Sequence, residues 1–94
     1  MAVGVVLDFA GSTLEQYDQV VEKMGFTPGG PGGPGGLFHW VTATEGGIRV
    51  TDVWESPEQF QQFAQEKIGP ITAEFGLGEP TITFHEVHNY LTAG

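Results

Sequence analysis

The sequence predicts one α+β domain in the order β-α-β-β-α-β, on three observations. Runs of β-branched and aromatic residues recur four times along the chain. Two of the gaps between them carry a capping sequence followed by apolar residues at helical spacing. The third gap is a short turn signal, Glu45-Gly46-Gly47, which joins two of the runs into a hairpin.

The first run, Val3 to Phe9, reads as a strand. Ser12-Thr13-Leu14-Glu15 then matches a capping box and starts a helix with Leu14, Tyr17, Val21 and Met24 as its apolar stripe. Gly25 is a fitting C-terminal stop. Thr27 to Gly36, TPGGPGGPGG, can neither continue a helix nor enter a sheet interior. It has no GxxxxGK pattern and no lysine or serine, so it is not a phosphate loop. Its place beside the second strand fits a lid over a pocket or a passive connection.

Leu37 to Ala43 and Ile48 to Trp54 form the hairpin. Ser56-Pro57-Glu58-Gln59 opens a second helix, with an N-cap and proline at the first helical position. Phe60, Phe63, Ala64 and Ile68 are its buried stripe, Gly69-Pro70 is expected to break it, and Ile71 to Phe75 adds a further turn. Thr81 to Leu91 is the last strand. No linker divides the chain, so residues 1–94 are expected to be one domain.

Composition narrows the function. Among 94 residues only Lys23, Arg49 and Lys67 are basic, and the net charge is −9. Such a chain repels phosphate backbones and anionic membrane surfaces, so nucleic acid and membrane are not expected partners. There is no cysteine, so neither a disulfide nor a Cys-based zinc site supports the thin core of so short a chain. Pairing with a second copy is one remaining aid. Met1 to Phe9 has no basic n-region or cleavage signal, and no run approaches the ~18 apolar residues of a membrane span. A cytoplasmic protein is expected.

Strand alternation sorts the side chains. With the hairpin turning at Glu45 and Gly46, Leu37 meets Trp54, His39 meets Asp52, Val41 meets Val50, and Ala43 meets Ile48, all on one face. Val3, Val5, Leu7 and Phe9 share that face, as do Ile82, Phe84, Glu86, His88 and Tyr90, and it is assigned to the helices. Phe38, Trp40, Thr51, Val53, Val6, Val87 and His85 take the other. Left in water, that second face would be a large aromatic-bearing patch, which a homodimer through the open sheet face would cover.

His39 and Asp52 are the leading chemical pair. Opposed residues on neighbouring strands have Cβ atoms roughly 4.5–5.5 Å apart, within reach of an imidazole–carboxylate hydrogen bond. The carboxylate would fix the histidine tautomer and leave the other ring nitrogen to accept a proton. The alternative is a buried pair that only orients the sheet. Glu86, His88 and Tyr90 are candidates for a second polar wall. Trp54, Leu7, Phe84, Phe63 and Tyr17, with Phe60 and Met24, either line an apolar pocket or fill a core. His39, Asp52, Glu86 and His88 are metal-ligating types without a ligand spacing, so no metal is expected. No flavin or nicotinamide motif is present, and no cofactor is expected.

The chain resembles the dimeric α/β-barrel superfamily of ferredoxin-like proteins, which includes antibiotic-biosynthesis monooxygenases, stress-responsive barrel proteins and polyketide cyclases. The likeness runs over nearly the whole chain and is most specific at Val50-Thr51-Asp52-Val53-Trp54-Glu55-Ser56-Pro57-Glu58-Gln59-Phe60. Glu66-Lys67-Ile68-Gly69-Pro70 stands where some cyclases carry paired histidines on the second helix. The resemblance implies a ferredoxin-like βαββαβ fold with a four-stranded antiparallel sheet. It also implies two such sheets paired into a barrel, and an apolar or aromatic small molecule held between sheet and helices. Haem occurs in some members, which would make His85 or His88 the ligand. The implied activity is that of a cofactor-independent monooxygenase or cyclase acting on an aromatic, polyketide-like molecule, with His39 as base and Asp52 as its orienter. The alternative is a non-catalytic apolar small-molecule binder or a stress-related protein.

Overall fold

Four strands make one antiparallel sheet in the order β2-β3-β1-β4. They are β1 (Val3–Ala10), β2 (Gly36–Thr44), β3 (Gly47–Trp54) and β4 (Thr81–Glu86). Between them run α1 (Leu14–Met24) and a continuous helical segment made of α2 (Pro57–Phe63), a π-helical turn (Ala64–Ile68) and α3 (Gly69–Glu74). The computed structural model describes residues 1–92. This is a ferredoxin-like α+β fold with the predicted element order.

The alternation expected from sequence sets the two faces. Val3, Val5, Leu7 and Phe9 of β1, with Ile48, Val50 and Trp54 of β3, are buried against Val20 of α1, Phe60 of α2 and Leu77. The opposite face carries Phe38, 56 % exposed, and Trp40, 48 % exposed. Beside them Val6 and Val53 are half-buried, and Arg49 donates to the Asp8 carboxylate across the β1–β3 pair at 2.7 Å. That bond holds the Arg49 guanidinium above its ordinary pKa.

Five local details differ from the sequence expectation. The capping box of α1 is Thr13 with Gln16, one residue later than Ser12 with Glu15. Val20 is its buried residue, while Leu14 is 43 % exposed. Gly25 ends the helix in the left-handed conformation, as expected.

Gly69-Pro70 does not break the second helix. The Gly69 N–H reaches back to the Ala64 carbonyl, and α3 continues the segment. Proline has no N–H and crowds the carbonyl four residues earlier; one extra residue in the preceding turn accommodates both.

Leu37 does not pair with Trp54. A bulge between Gly36 and Phe38 puts Gly36 opposite Trp54, while every pair from Phe38 to Thr44 keeps the predicted register. Finally, β4 ends at Glu86 rather than Leu91. Glu86 pairs with Val3 at the start of β1, and the Val87 N–H bonds Ala2. The ladder thus ends where β1 starts, at Val3.

The glycine- and proline-rich connection folds back over α2. The Glu55 N–H bonds the Gly35 carbonyl at 2.9 Å, and Phe26 stacks on Phe63 with ring centroids 6.3 Å apart. A Cβ on Gly33 would come within 2.9 Å of the Phe63 ring, so the backbone approaches closer than a side chain permits.

Candidate functional site

The hairpin sets His39 and Asp52 directly opposite each other on the helix-facing side of β2 and β3. Nδ1 of His39 lies 2.5 Å from Oδ1 of Asp52. The carboxylate is buried, whereas the His39 side chain is 45 % exposed because β2 is an edge strand. Two residues along β3, on the same face, the Trp54 indole N–H donates to Oδ2 at 3.1 Å. Both carboxylate oxygens are therefore engaged, and the described residues leave no buried side-chain polar atom unpaired.

Tyr17 completes the group from α1. Its hydroxyl bonds Nε2 of His39, and the two rings lie nearly parallel, 12° apart with centroids separated by 5.9 Å. Burial, and then the negative charges of Asp52 and Asp18, push the Tyr17 phenol up to about 12. On a neutral ring with Nδ1–H donated to Asp52, Nε2 is the acceptor and the Tyr17 hydroxyl donates to it. The result is a linear chain, Trp54–Asp52–His39–Tyr17, running from the core to the β2 edge. In the sequence Tyr17 stood only as an apolar lining residue and Trp54 only as a pocket wall. The signal for Tyr17 was topological: a right-handed β1-α1-β2 crossover lays α1 over β3 and β2. The signal for Trp54 was its place two residues after Asp52 on one strand.

The other candidates fall elsewhere. Leu7 is buried between Val50 and Ile82. Trp54 packs on Phe60 and Phe63 with ring centroids 5.7 and 5.2 Å away, and Phe60 meets Phe84 edge-on at 5.7 Å. This aromatic cluster occupies the space between sheet and α2. Open grooves lie along β4 instead. One of about 400 Å³ is lined by Met1, Val3, Pro57, Glu58, Phe84 and Glu86, among others. A second of about 600 Å³ is lined by Phe60, Gln61, Ala64, Gln65, Ile82 and Phe84. Phe84 borders both, and His39, Asp52 and Tyr17 border neither.

Glu86 lies on β4, at the opposite edge of the sheet from His39. His88 and Tyr90 follow β4 and are exposed. The fold therefore does not gather Glu86, His88 and Tyr90 around the His39–Asp52 pair within one subunit. His85 takes the open face, in the row of Gly4, Val53 and Phe38. Among the described residues no group of three or more His, Asp or Glu stands ready to hold a metal ion, and no helix is long and apolar enough to cross a membrane.

Neither a protein-family model nor a curated protein matches the sequence. The fold is similar to the crystal structure of a "putative antibiotic biosynthesis monooxygenase" from Deinococcus radiodurans. The superposition gives a TM-score of 0.59 at 13% sequence identity and covers 100% of this chain and 99% of that chain. At that identity the likeness is one of architecture: the chain shares its ferredoxin-like α+β fold, end to end, with that protein.

Proposed function

We propose that the chain is a cofactor-independent oxygenase or cyclase of hydroxylated aromatic, polyketide-like molecules, with the His39 imidazole as proton acceptor and Asp52 as its orienter. The observation that carries this reading is the 2.5 Å contact between Nδ1 of His39 and a buried carboxylate held from its other side by Trp54. A fixed carboxylate stabilises the imidazolium that forms when the ring takes up a proton. A proton removed from an activated CH₂ leaves a delocalised carbanion, which gives one electron to O₂. The substrate radical and superoxide combine to a peroxide anion, the proton returns to its outer oxygen to give a hydroperoxide, and loss of water leaves a carbonyl. The substrate supplies the electrons.

The exposed Phe38 and Trp40, with Val6 and Val53 beside them, support a homodimer joined through the open sheet face. In such a pair the helix-facing side of each sheet stays outward and free to take ligand.

The test is oxidation of dithranol, an aromatic C–H acid, followed by oxygen uptake and by the quinone product. Wild-type protein should accelerate it, and His39→Ala should return it to the buffer rate; equal rates for the two proteins reject the enzyme reading. The grooves along β4 favour a second reading, a non-catalytic binder of apolar molecules at Phe84 and Ile82. In that case Phe84→Ala loses affinity for an aromatic probe and His39→Ala keeps it.

A further inference from the structure

We infer that Tyr17, rather than His39, is the residue that touches the substrate, and that it relays the proton of a bound phenol or enol to His39. This rests on the reading of His39 and Asp52 as the proton-accepting pair.

Neither ring nitrogen of His39 is free. Nδ1 is held by Asp52 and Nε2 by the Tyr17 hydroxyl. An incoming hydroxyl therefore finds the phenolic oxygen first. That oxygen donates its one proton to Nε2, and among the described residues no group donates to it, so it keeps lone pairs for an incoming O–H. It stands at the β2 edge, half-buried. Leu14, one turn earlier on α1, is 43 % exposed, and Val41 follows His39 by two residues on the same face of β2. An aromatic ring carrying a hydroxyl suits a polar atom between such apolar neighbours.

The transfer balances without a further reactant. The substrate O–H bond breaks as an O–H bond forms on Tyr17, while the old Tyr17 O–H bond breaks and an N–H bond forms at Nε2. The products are a substrate phenolate or enolate and an imidazolium beside Asp52. Because burial, and then Asp52 and Asp18, oppose negative charge on Tyr17, the phenol passes the proton on without resting as phenolate.

The experiment is a titration of 4-nitrophenol with the 94-residue chain, one pH unit below the point where the free phenol ionises, reading its visible phenolate band. Wild-type protein should raise the band saturably. Tyr17→Phe, which keeps the ring and loses the hydroxyl, and His39→Gln should each lower the increase at least tenfold. If Tyr17→Phe fails to fold, 3-fluorotyrosine at position 17 in a Tyr90→Phe background replaces it. The more acidic hydroxyl should then move the pH at which half the band appears by several tenths of a unit. A full band in Tyr17→Phe, or an unmoved midpoint with fluorotyrosine, combined with loss in His39→Gln, overturns the relay and leaves His39 acting directly. A full band in both variants rejects the pair itself as the acceptor. No band with wild-type protein also overturns the relay, while the dithranol assay still judges the enzyme reading separately.

Discussion

Trp54 donates to the same carboxylate that anchors His39. Its indole N–H lies 3.1 Å from Oδ2 of Asp52 while Nδ1 of His39 lies 2.5 Å from Oδ1. An amide in place of that carboxylate cannot accept from both sides. Asp52→Asn should therefore either set its amide N–H against a donor or force His39 to carry its proton on Nε2, which ends the donation from Tyr17, and cost about 1–3 kcal/mol. Urea denaturation measures the loss. Trp54→Phe leaves Oδ2 of the buried carboxylate without its donor and trims the aromatic cluster, so it too should cost about 1–3 kcal/mol; no measurable loss would show that the indole bond is not what holds the carboxylate.

The Tyr17 phenol makes stability depend on pH at the alkaline end. Its folded-state pKa is raised to about 12 from an ordinary value of 10.0, so the folded chain holds that proton more tightly than the unfolded chain. The contribution is complete below about pH 10 and is lost as pH rises toward 12. Tyrosinate absorbance in a Tyr90→Phe background should show Tyr17 ionising well above a free tyrosine. Tyr17→Phe should flatten the fall in stability across that window.

Gly33 is packed against the Phe63 ring closer than a methyl group permits. Gly33→Ala should displace the connection from α2 and cost about 1–2 kcal/mol by overpacking. Amide exchange should quicken over residues 33–36. Phe63→Leu in the same chain should recover part of the loss, which a double-mutant cycle reads directly.

Trp40 reports the state of the open face. A homodimer joined there should run at twice the 10.1 kDa chain mass in light scattering. Trp40→Glu should run at the single-chain mass with its helical circular dichroism unchanged. In Trp54→Phe, emission comes from Trp40 alone and should shift to the red on dilution. A wild-type mass of one chain at all concentrations rejects the paired arrangement.

The register of the hairpin was legible in the sequence because Glu45-Gly46-Gly47 fixes the turn and a slip by one residue would turn Asp52 outward. That alone placed His39 opposite Asp52. The role of Tyr17 was not legible, since it depends on how α1 lies over the sheet, and a stripe of Leu14, Tyr17, Val21 and Met24 does not say which residue enters the core. Val20 does so instead. The π-helical turn before Pro70 was hidden because proline is compatible with either a break or a widened turn, and packing against the core chooses. The end of β4 was hidden too. Val87 to Leu91 has strand composition, but pairing stops where β1 begins.

The bulge at Gly36–Phe38 has a consequence for how this chain can change over time. It absorbs the offset between the glycine- and proline-rich connection and the ladder, while the tight turn pins His39 from the opposite end. Repeats gained or dropped upstream of Gly33, whose contact with Phe63 and the Gly35–Glu55 bond hold the end of the connection in place, should not rotate His39 away from Asp52. The connection is thus a natural place for lineages, or protein engineers, to vary length while the chemistry stays in alignment.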